Sequence, residues 1–383
     1  MTSAPKSPPE ISVSPILNLD HLATEWCALE RQSVNHSFFL SWYWIGSWLR
    51  TLPKEIRPQL LRIHSGERTH GLAVIVQGHA PVLKFFSLPQ IALNATGEAG
   101  LDNIAIEYNG FLAAGGFEEM VTRSGLEWLL NGDLSSQSVL LPGIDTMLGN
   151  VALSMAGDDG RQVAWLNEVP APYVDLRHIR NKGGDYLSLL SRNTRQMMRR
   201  SLRHYEAIGP LRYDSAHSLD EALQLFDALA QAHQTYWRAR GQPGAFAKPY
   251  FRLFHEMLIR SAFADGHIEM ARIAAGDTVV GYLYNFLWRD TIYAYQSGFL
   301  YGEDNLARPG YVSHYMAILT ALERGYNVYD FMAGIRQHKT SLSTGQQNLT
   351  WLQLQKPILP VRIQTSMKTI ITKIHRQVNV RPV

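Results

Sequence analysis

The densest group of residues able to do chemistry lies between Ile292 and Lys339. Tyr293 and Tyr295 stand two apart in a strand-like run, so they share one face and either could give a proton to a leaving group. Gln296, Ser297, Gly298 and Phe299 follow. Backbone N–H groups near Ser297 and Gly298 could polarise a carbonyl. After a tight loop, Pro309, Gly310, Tyr311 and Val312 open a helix, whose first turn offers N–H groups that favour a phosphate or carboxylate. His314 lies one turn in and Asp330 ends the next short strand, each a candidate base or water-orienting group. Lys339 follows Gly334, Arg336 and His338, in a place where a lysine is ordinarily solvated. The lone cysteine, Cys27, sits on an early helix and is a core residue rather than a nucleophile.

A second group is cationic. Arg192, Arg195, Arg199 and Arg203 recur at i, i+3, i+7 and i+11, within one arc of a helix, beside an apolar ridge of Met198, Leu202 and Tyr205. Guanidinium forks match phosphates, so this face fits an anionic substrate, a nucleotide-linked precursor or RNA, as well as plain solvent.

Other chemistries lack their motifs. The sequence has no Gly-Lys pair for a phosphate loop, no Gly-x-Ser-x-Gly elbow and no Gly-x-Gly-x-x-Gly fingerprint. His255-Glu256 has no second histidine at zinc-protease spacing, and a single cysteine allows neither a disulfide nor a thiolate metal site. No metal is expected.

Positioning these residues takes most of the 383-residue chain, which is 46% apolar and 18% charged, enough for two domains. A net charge of +3 is too small for a surface built to hold DNA. A disordered tail is expected to Ser14, then a helix capped by Asn18 with Leu22, Trp26 and Leu29 on one face, and a second helix from Trp42 to Leu49. Strands are predicted at 60–63, 72–76, 82–88, 104–108 and 138–141, with helices at 117–130 and 144–155. A turn-rich connector near 173–184 leads to a helix from Ser191, a strand at 211–213, helices at 219–238 and 250–263, and strands at 268–274, 278–288 and 291–299. Helices lead and hairpins follow in both halves, so the fold class is α+β with two tandem units of one kind. The divisions are 1–14, 15–175, 176–357 and 358–383.

The last segment carries six basic residues from Lys356 onward and no acidic one, which leaves the remainder net acidic. Ile363, Met367, Ile370, Ile371 and Ile374 give it one apolar helical face. Packing on the body is the first expectation and contact with an anionic membrane surface the second. The start, MTSAPKSPPE, lacks a secretory pattern, and no run reaches the length of a membrane span, so a cytoplasmic, at most membrane-peripheral, protein is expected.

Ser191-Arg192-Asn193-Thr194-Arg195 with Arg199-Arg200, the tract His233 to Gly241, the strands Val279 to Trp288 and Tyr293 to Phe299, the Pro309-Gly310 helix start, and Tyr329-Asp330-Phe331-Met332-Ala333-Gly334 followed by Lys339 resemble the BioF-like/CelD-BcsL acetyltransferases. These belong to the GNAT superfamily and are related to the Fem peptidyltransferases, which use aminoacyl-tRNA. The resemblance covers roughly 170–356 well and the first half, as a degenerate GNAT-like domain, more loosely. It implies two tandem GNAT-like domains, each a mixed, largely antiparallel sheet flanked by helices. It implies acetyl-CoA or another acyl-CoA as co-substrate, held by Ser297, Gly298, Phe299, Pro309, Gly310, Tyr311 and Val312. Catalysis would fall to Lys339, Asp330, Tyr295 and His314, and acceptor binding to Arg192, Arg195, Arg199, Trp237 and Gln296. The acceptor would be a small molecule, sugar or cell-envelope precursor. The alternatives are a Fem-like transferase with tRNA as partner, or a binding protein that kept the fold without the activity. His338 stands where the family usually has an aromatic residue.

Overall fold

The computed structural model describes residues 9–364 other than 35, 84–85, 133–135, 303 and 305. Its contacts divide the chain into two units, Met1–Trp42 with Leu52–Glu168 and Thr350–Val383, and Tyr43–Thr51 with Val169–Leu349.

Unit 1 begins with β1 (Glu10–Pro15) and α1 (Leu19–Gln32). The side chain of Asn18 caps α1 by accepting from the amides of Asp20 and His21, and Leu22, Trp26 and Leu29 form its buried face. β1 replaces part of the expected tail. Ile11 and Val13 alternate with polar residues, and the segment pairs antiparallel with β2 (Pro58–Ser65) from Glu10 opposite His64 to Pro15 opposite Gln59. Composition pointed to disorder; the alternation inside it was the better guide. The helix α2 (Trp42–Thr51) lies, but for its first residue, in unit 2.

The strand β3 (Arg68–Val82) runs straight through Gly78 and Pro81, where a break was expected, and β4 (Phe86–Leu93) starts only after it. Beyond Val76 the β2 ladder has ended, so Gly78–Val82 pair with β4 alone, and Pro81, which has no N–H to donate, interrupts no second ladder. A short β5 (Leu112–Ala113) pairs with β3, followed by α3 (Glu118–Asn131), β6 (Ser138–Asp145) and α4 (Thr146–Asp158). The strand expected at 104–108 does not form. Ala105 and Tyr108 have φ of 51° and 49°, a left-handed conformation that no ladder tolerates. The sheet order is β1-β2-β3-β4-β6, antiparallel except for the parallel pair β4 and β6.

Unit 2 takes up β7 (Gln162–Asp175) from Val169, then α5 (Leu176–Asn181), α6 (Arg192–Glu206), β8 (Leu211–Ser215), α7 (Leu219–Arg238) and α8 (Pro249–Ala262). The hairpins β9 (Ile268–Ala275), β10 (Thr278–Trp288) and β11 (Thr291–Phe299) fall within a residue of their predicted places. Then come α9 (Pro309–Glu323), β12 (Val328–Asp330), α10 (Gln337–Leu342) and β13 (Gly345–Gln355), the last of which crosses into unit 1 at Thr350. The order is β7-β12-β11-β10-β9-β8, antiparallel except for β11 and β12.

Both units are therefore α+β and share one connectivity: an antiparallel ladder that ends in a strand, a crossover containing a helix and a parallel neighbour. In unit 2 that crossover helix is α9. Val312, Ala317, Ile318 and Ala321 bury it against Leu283, Ile292 and Ala294 of the sheet and Met198 and Tyr205 of α6. Residues 359–364 are helical; the amphipathic pattern predicted beyond them lies outside the described residues. Among the described residues no helix is long and apolar enough to cross a membrane.

Candidate active site

The strands β11 and β12 pair over three positions only, Thr291 to Tyr293 opposite Val328 to Asp330. Beyond them β11 continues along β10, whereas the chain after Asp330 leaves the sheet as a loop. A cavity of about 250 Å³ lies there, lined by Ala294 to Ser297 and Phe299 of β11, His314 of α9, His233, Tyr236 and Trp237 of α7, and Ala333 to Arg336 with His338 and Lys339.

Tyr284 lies opposite Gln296 and Asn285 opposite Ala294, so Tyr295 is the extra residue of a β-bulge, a device that re-aims a side chain at a strand's functional end. Its hydroxyl is 2.8 Å from Nε2 of His255, a wholly buried histidine of α8. The other ring nitrogen of His255 is 3.3 Å from the hydroxyl of Tyr284. Trp44, Phe226, Phe251 and Phe254 surround the imidazole, and burial holds its pKa well below the usual histidine range. Tyr293, equal to Tyr295 in the sequence reading, sits where β12 is still paired and does not line the cavity. Burial first, then the charges of Asp330 and Asp290, keep it protonated.

Opposite Tyr295, His314 is 3% exposed and its Nδ1 is 2.8 Å from the Tyr329 hydroxyl. Its ring stacks on His338 at 5.2 Å between centroids. Burial, then His338 and Lys339, keep His314 well below its ordinary pKa, and His338 is brought down to about 4 by burial, Lys339 and Arg336. His233 is also lowered to about 4, chiefly by burial; its Nε2 accepts from the Trp237 indole at 2.8 Å. The cavity is thus bordered by neutral imidazoles at neutral pH.

Lys339 lines the cavity, but its ammonium donates to the carbonyl oxygens of Phe331, Met332 and Ala333 at 2.6, 3.3 and 3.2 Å. It clasps the loop that forms the floor. Met332 in that loop has φ 60°, and its N–H donates to Asp330 at 2.6 Å. Gly334 has φ 145°, and a Cβ on it would come 3.2 Å from the lysine nitrogen.

The structure thus brings Tyr295, Gln296, Ser297, Phe299, Trp237, His314 and Lys339 to one cavity. The remaining candidates lie elsewhere. Asp330 lines a different cavity of about 360 Å³ with Asp175, Arg177 and Asp290. Gly298 packs under α7, where a Cβ would meet the Leu229 carbonyl at 2.5 Å. The expected cradle at Pro309, Gly310, Tyr311 and Val312 is largely closed, because the Tyr311 and Val312 amides donate to the Arg308 carbonyl at 3.0 and 3.1 Å. Phe299 covers Gly310, 3.1 Å from the position of a Cβ there. Arg192, Arg195 and Arg199 line a separate open cavity of about 750 Å³ along α6, and Arg195 turns inward to donate to the carbonyls of Ser188 and Leu190.

Sequence reasoning assigned no site role to His255, His233, Tyr284 and Tyr329, although the His233 tract and Tyr329 stood among the residues that carried the resemblance. His233 and Trp237, four apart on one helix, carried a readable signal. His255 and Tyr284 carried none, since α8 and β10 bring them together only in the fold. Among the described residues no cluster of three His, Cys, Asp or Glu could hold a metal ion.

Residues 192–340 match the family model described as an acetyltransferase (GNAT) domain. No curated protein sequence matches the chain. Among solved structures, FemX is 10% identical over 88% of this chain and 96% of its own, with a TM-score of 0.54. The C-terminal DUF2156 domain of a putative lysylphosphatidylglycerol synthetase from Agrobacterium fabrum is 11% identical over 92% and 95%, with a TM-score of 0.52. A conserved protein of unknown function from Bacteroides thetaiotaomicron is 10% identical over 91% and 100%, with a TM-score of 0.56. At these identities the shared property is the fold alone.

Proposed function

We propose that unit 2 is an acyltransferase that moves an acyl group, acetyl in the simplest case, from a CoA thioester to an amine or hydroxyl in the cavity beside Tyr295. The observation that carries this reading is the opening between β11 and β12, with Tyr295 and His314 facing it from a bulged strand and a crossover helix. The match of residues 192–340 to a GNAT domain supports it, and the resemblance to BioF-like/CelD-BcsL proteins belongs to the same reading. A volume of about 250 Å³ suits the reacting end of a thioester rather than a whole coenzyme, since complete ligand pockets run to roughly 300–1,000 Å³.

In this reading a neutral amine attacks the thioester carbonyl, a C–N bond forms, and collapse of the tetrahedral intermediate breaks the C–S bond. The departing thiolate takes the phenol proton of Tyr295, the amine's surplus proton leaves to water, and water restores the phenol. Lys339 holds the floor loop and adds positive charge beside the developing oxyanion. Trp237 and Arg336, whose guanidinium lies 4.7 Å from the indole centroid, would border the acceptor. The test is thermal: acyl-CoA, but not free pantetheine lacking the acyl group, should raise the melting temperature, and thiol should be released when an amine panel is added. No shift with any acyl-CoA would remove the donor from this reading.

One observation favours a second reading, an aminoacyl-tRNA-dependent transferase. Arg192, Arg199, Arg200 and Arg203 project from α6, and none pairs with a carboxylate among the described residues. If RNA binds there, affinity should fall steeply with salt, and Arg199→Ala should reduce the slope of log affinity against log salt by about one.

A further inference from the structure

We propose that two buried tyrosines, Tyr329 and Tyr284, act through histidines to fix two of the polar groups that line the cavity, His314 and Tyr295, as hydrogen-bond donors. Tyr329 is wholly buried, and Nδ1 of His314, at 2.8 Å, is its one hydrogen-bond partner among the described residues. A phenol hydrogen sealed from water must be donated, so it goes to Nδ1. A neutral imidazole has one N–H; with Nδ1 accepting, the hydrogen sits on Nε2. His314 then offers the cavity an N–H and has no lone pair left to take a proton.

The second pair follows the same accounting through one more step. Tyr284 is also wholly buried, and Nδ1 of His255 is its one hydrogen-bond partner among the described residues. Its hydroxyl donates to Nδ1, which places the histidine hydrogen on Nε2 and directs it to the oxygen of Tyr295 at 2.8 Å. With that oxygen accepting, the Tyr295 hydrogen is directed away from His255, on a residue that lines the cavity. The reverse tautomer of either histidine would strand a phenol hydrogen in the interior. Aromatic rings surround His255, and among the described residues its ring nitrogens are paired with Tyr284 and Tyr295 and with no carboxylate that could reverse the choice.

Tyr329, Tyr284 and His255 are positioning residues. The site they define receives a group that only accepts, such as a thioester carbonyl oxygen, the oxyanion it becomes, or a thiolate. What the donors act on rests on the acyl-transfer reading; their polarity does not. His314 serves as an oxyanion donor rather than as a base, and the acceptor must arrive neutral or lose its proton to water.

The experiment is nitrogen NMR of the full chain labelled with 15N-histidine, which reads each tautomer from its two-bond proton correlations. The expected result is Nε2–H for both His314 and His255 near neutral pH. Tyr329→Phe should shift Nδ1 of His314 and leave His255 unchanged, and Tyr284→Phe should do the converse; these responses also assign the signals. Should either variant not fold, loss of one signal set in His314→Gln or His255→Gln assigns the wild-type spectrum instead. An Nδ1–H tautomer at either histidine, or resonances indifferent to loss of the hydroxyl, would overturn the proposal. Failure to consume any acyl thioester, with both histidines found as Nε2–H, would overturn the function and leave this inference standing.

Discussion

The ammonium nitrogen of Lys339 lies 2.6 Å from the carbonyl oxygen of Phe331, with the carbonyls of Met332 and Ala333 within 3.3 Å, so the cation belongs to the loop beneath the cavity as much as to the cavity itself. Lys339→Ala should release that loop as well as remove charge. Peptides covering 331–336 should exchange amide hydrogen faster, and thioester turnover should fall by more than about tenfold. Unaltered exchange would show that the lysine does not hold the loop.

Packing distinguishes Gly298 from an amide that meets a ligand. In Gly298→Ala the new methyl would sit 2.5 Å from the Leu229 carbonyl and 3.1 Å from its Cα, so α7 must move off β11. Overpacking of this kind costs about 1–3 kcal/mol, measurable by urea unfolding. Gly302→Ala, with nothing within 4 Å of the added atom, should change stability by less than about 0.5 kcal/mol. Equal stability in the two variants would contradict the close approach.

Local pattern carried much of the fold. The hairpin strands β9 to β11, the helices α7, α8 and α9 and the Asn18 cap were legible because apolar spacing and turn residues agree there with the tertiary structure. β13 and most of β7 were not, since their place depends on ladders closed by residues far away in sequence. The site was half legible. Tyr295, His314 and Lys339 were picked for their chemistry and line one cavity, whereas at the α9 start the sequence could not show that the Tyr311 and Val312 amides are taken by the Arg308 carbonyl or that Phe299 packs against Gly310. The bulge and the end of the β12 ladder separate Tyr295 from Tyr293, and neither leaves a mark in a run of alternating aromatic residues.

Stability should depend on pH through the histidines. In the folded chain His338 and His233 titrate near 4, against about 6.5 when unfolded, so between those values the unfolded state binds more protons. Their contribution is complete above about pH 6.5, declines as pH falls toward 4, and levels off below. The melting temperature should drop steadily from pH 7 to pH 4.5 with more than carboxylate titration alone would give. His338→Gln should reduce that slope; an identical profile in the variant would mean that His338 is protonated as easily folded as unfolded.

The two tyrosines that looked alike in the sequence should differ in function. Tyr295→Phe removes the phenol proton offered to the thiolate and leaves Nε2–H of His255 buried without an acceptor. Turnover should fall about 100-fold with donor affinity little changed, and stability should fall by about 1–3 kcal/mol. Tyr293→Phe, outside the cavity, should keep turnover within about threefold of the parent. Rates are read as free thiol released from acyl-CoA with an amine acceptor. Thioesters whose thiol is already acidic leave without a proton, so such donors should narrow the gap between Tyr295→Phe and the parent if the hydroxyl serves the leaving group. A gap that stays constant across donors of falling thiol pKa would assign Tyr295 to binding instead.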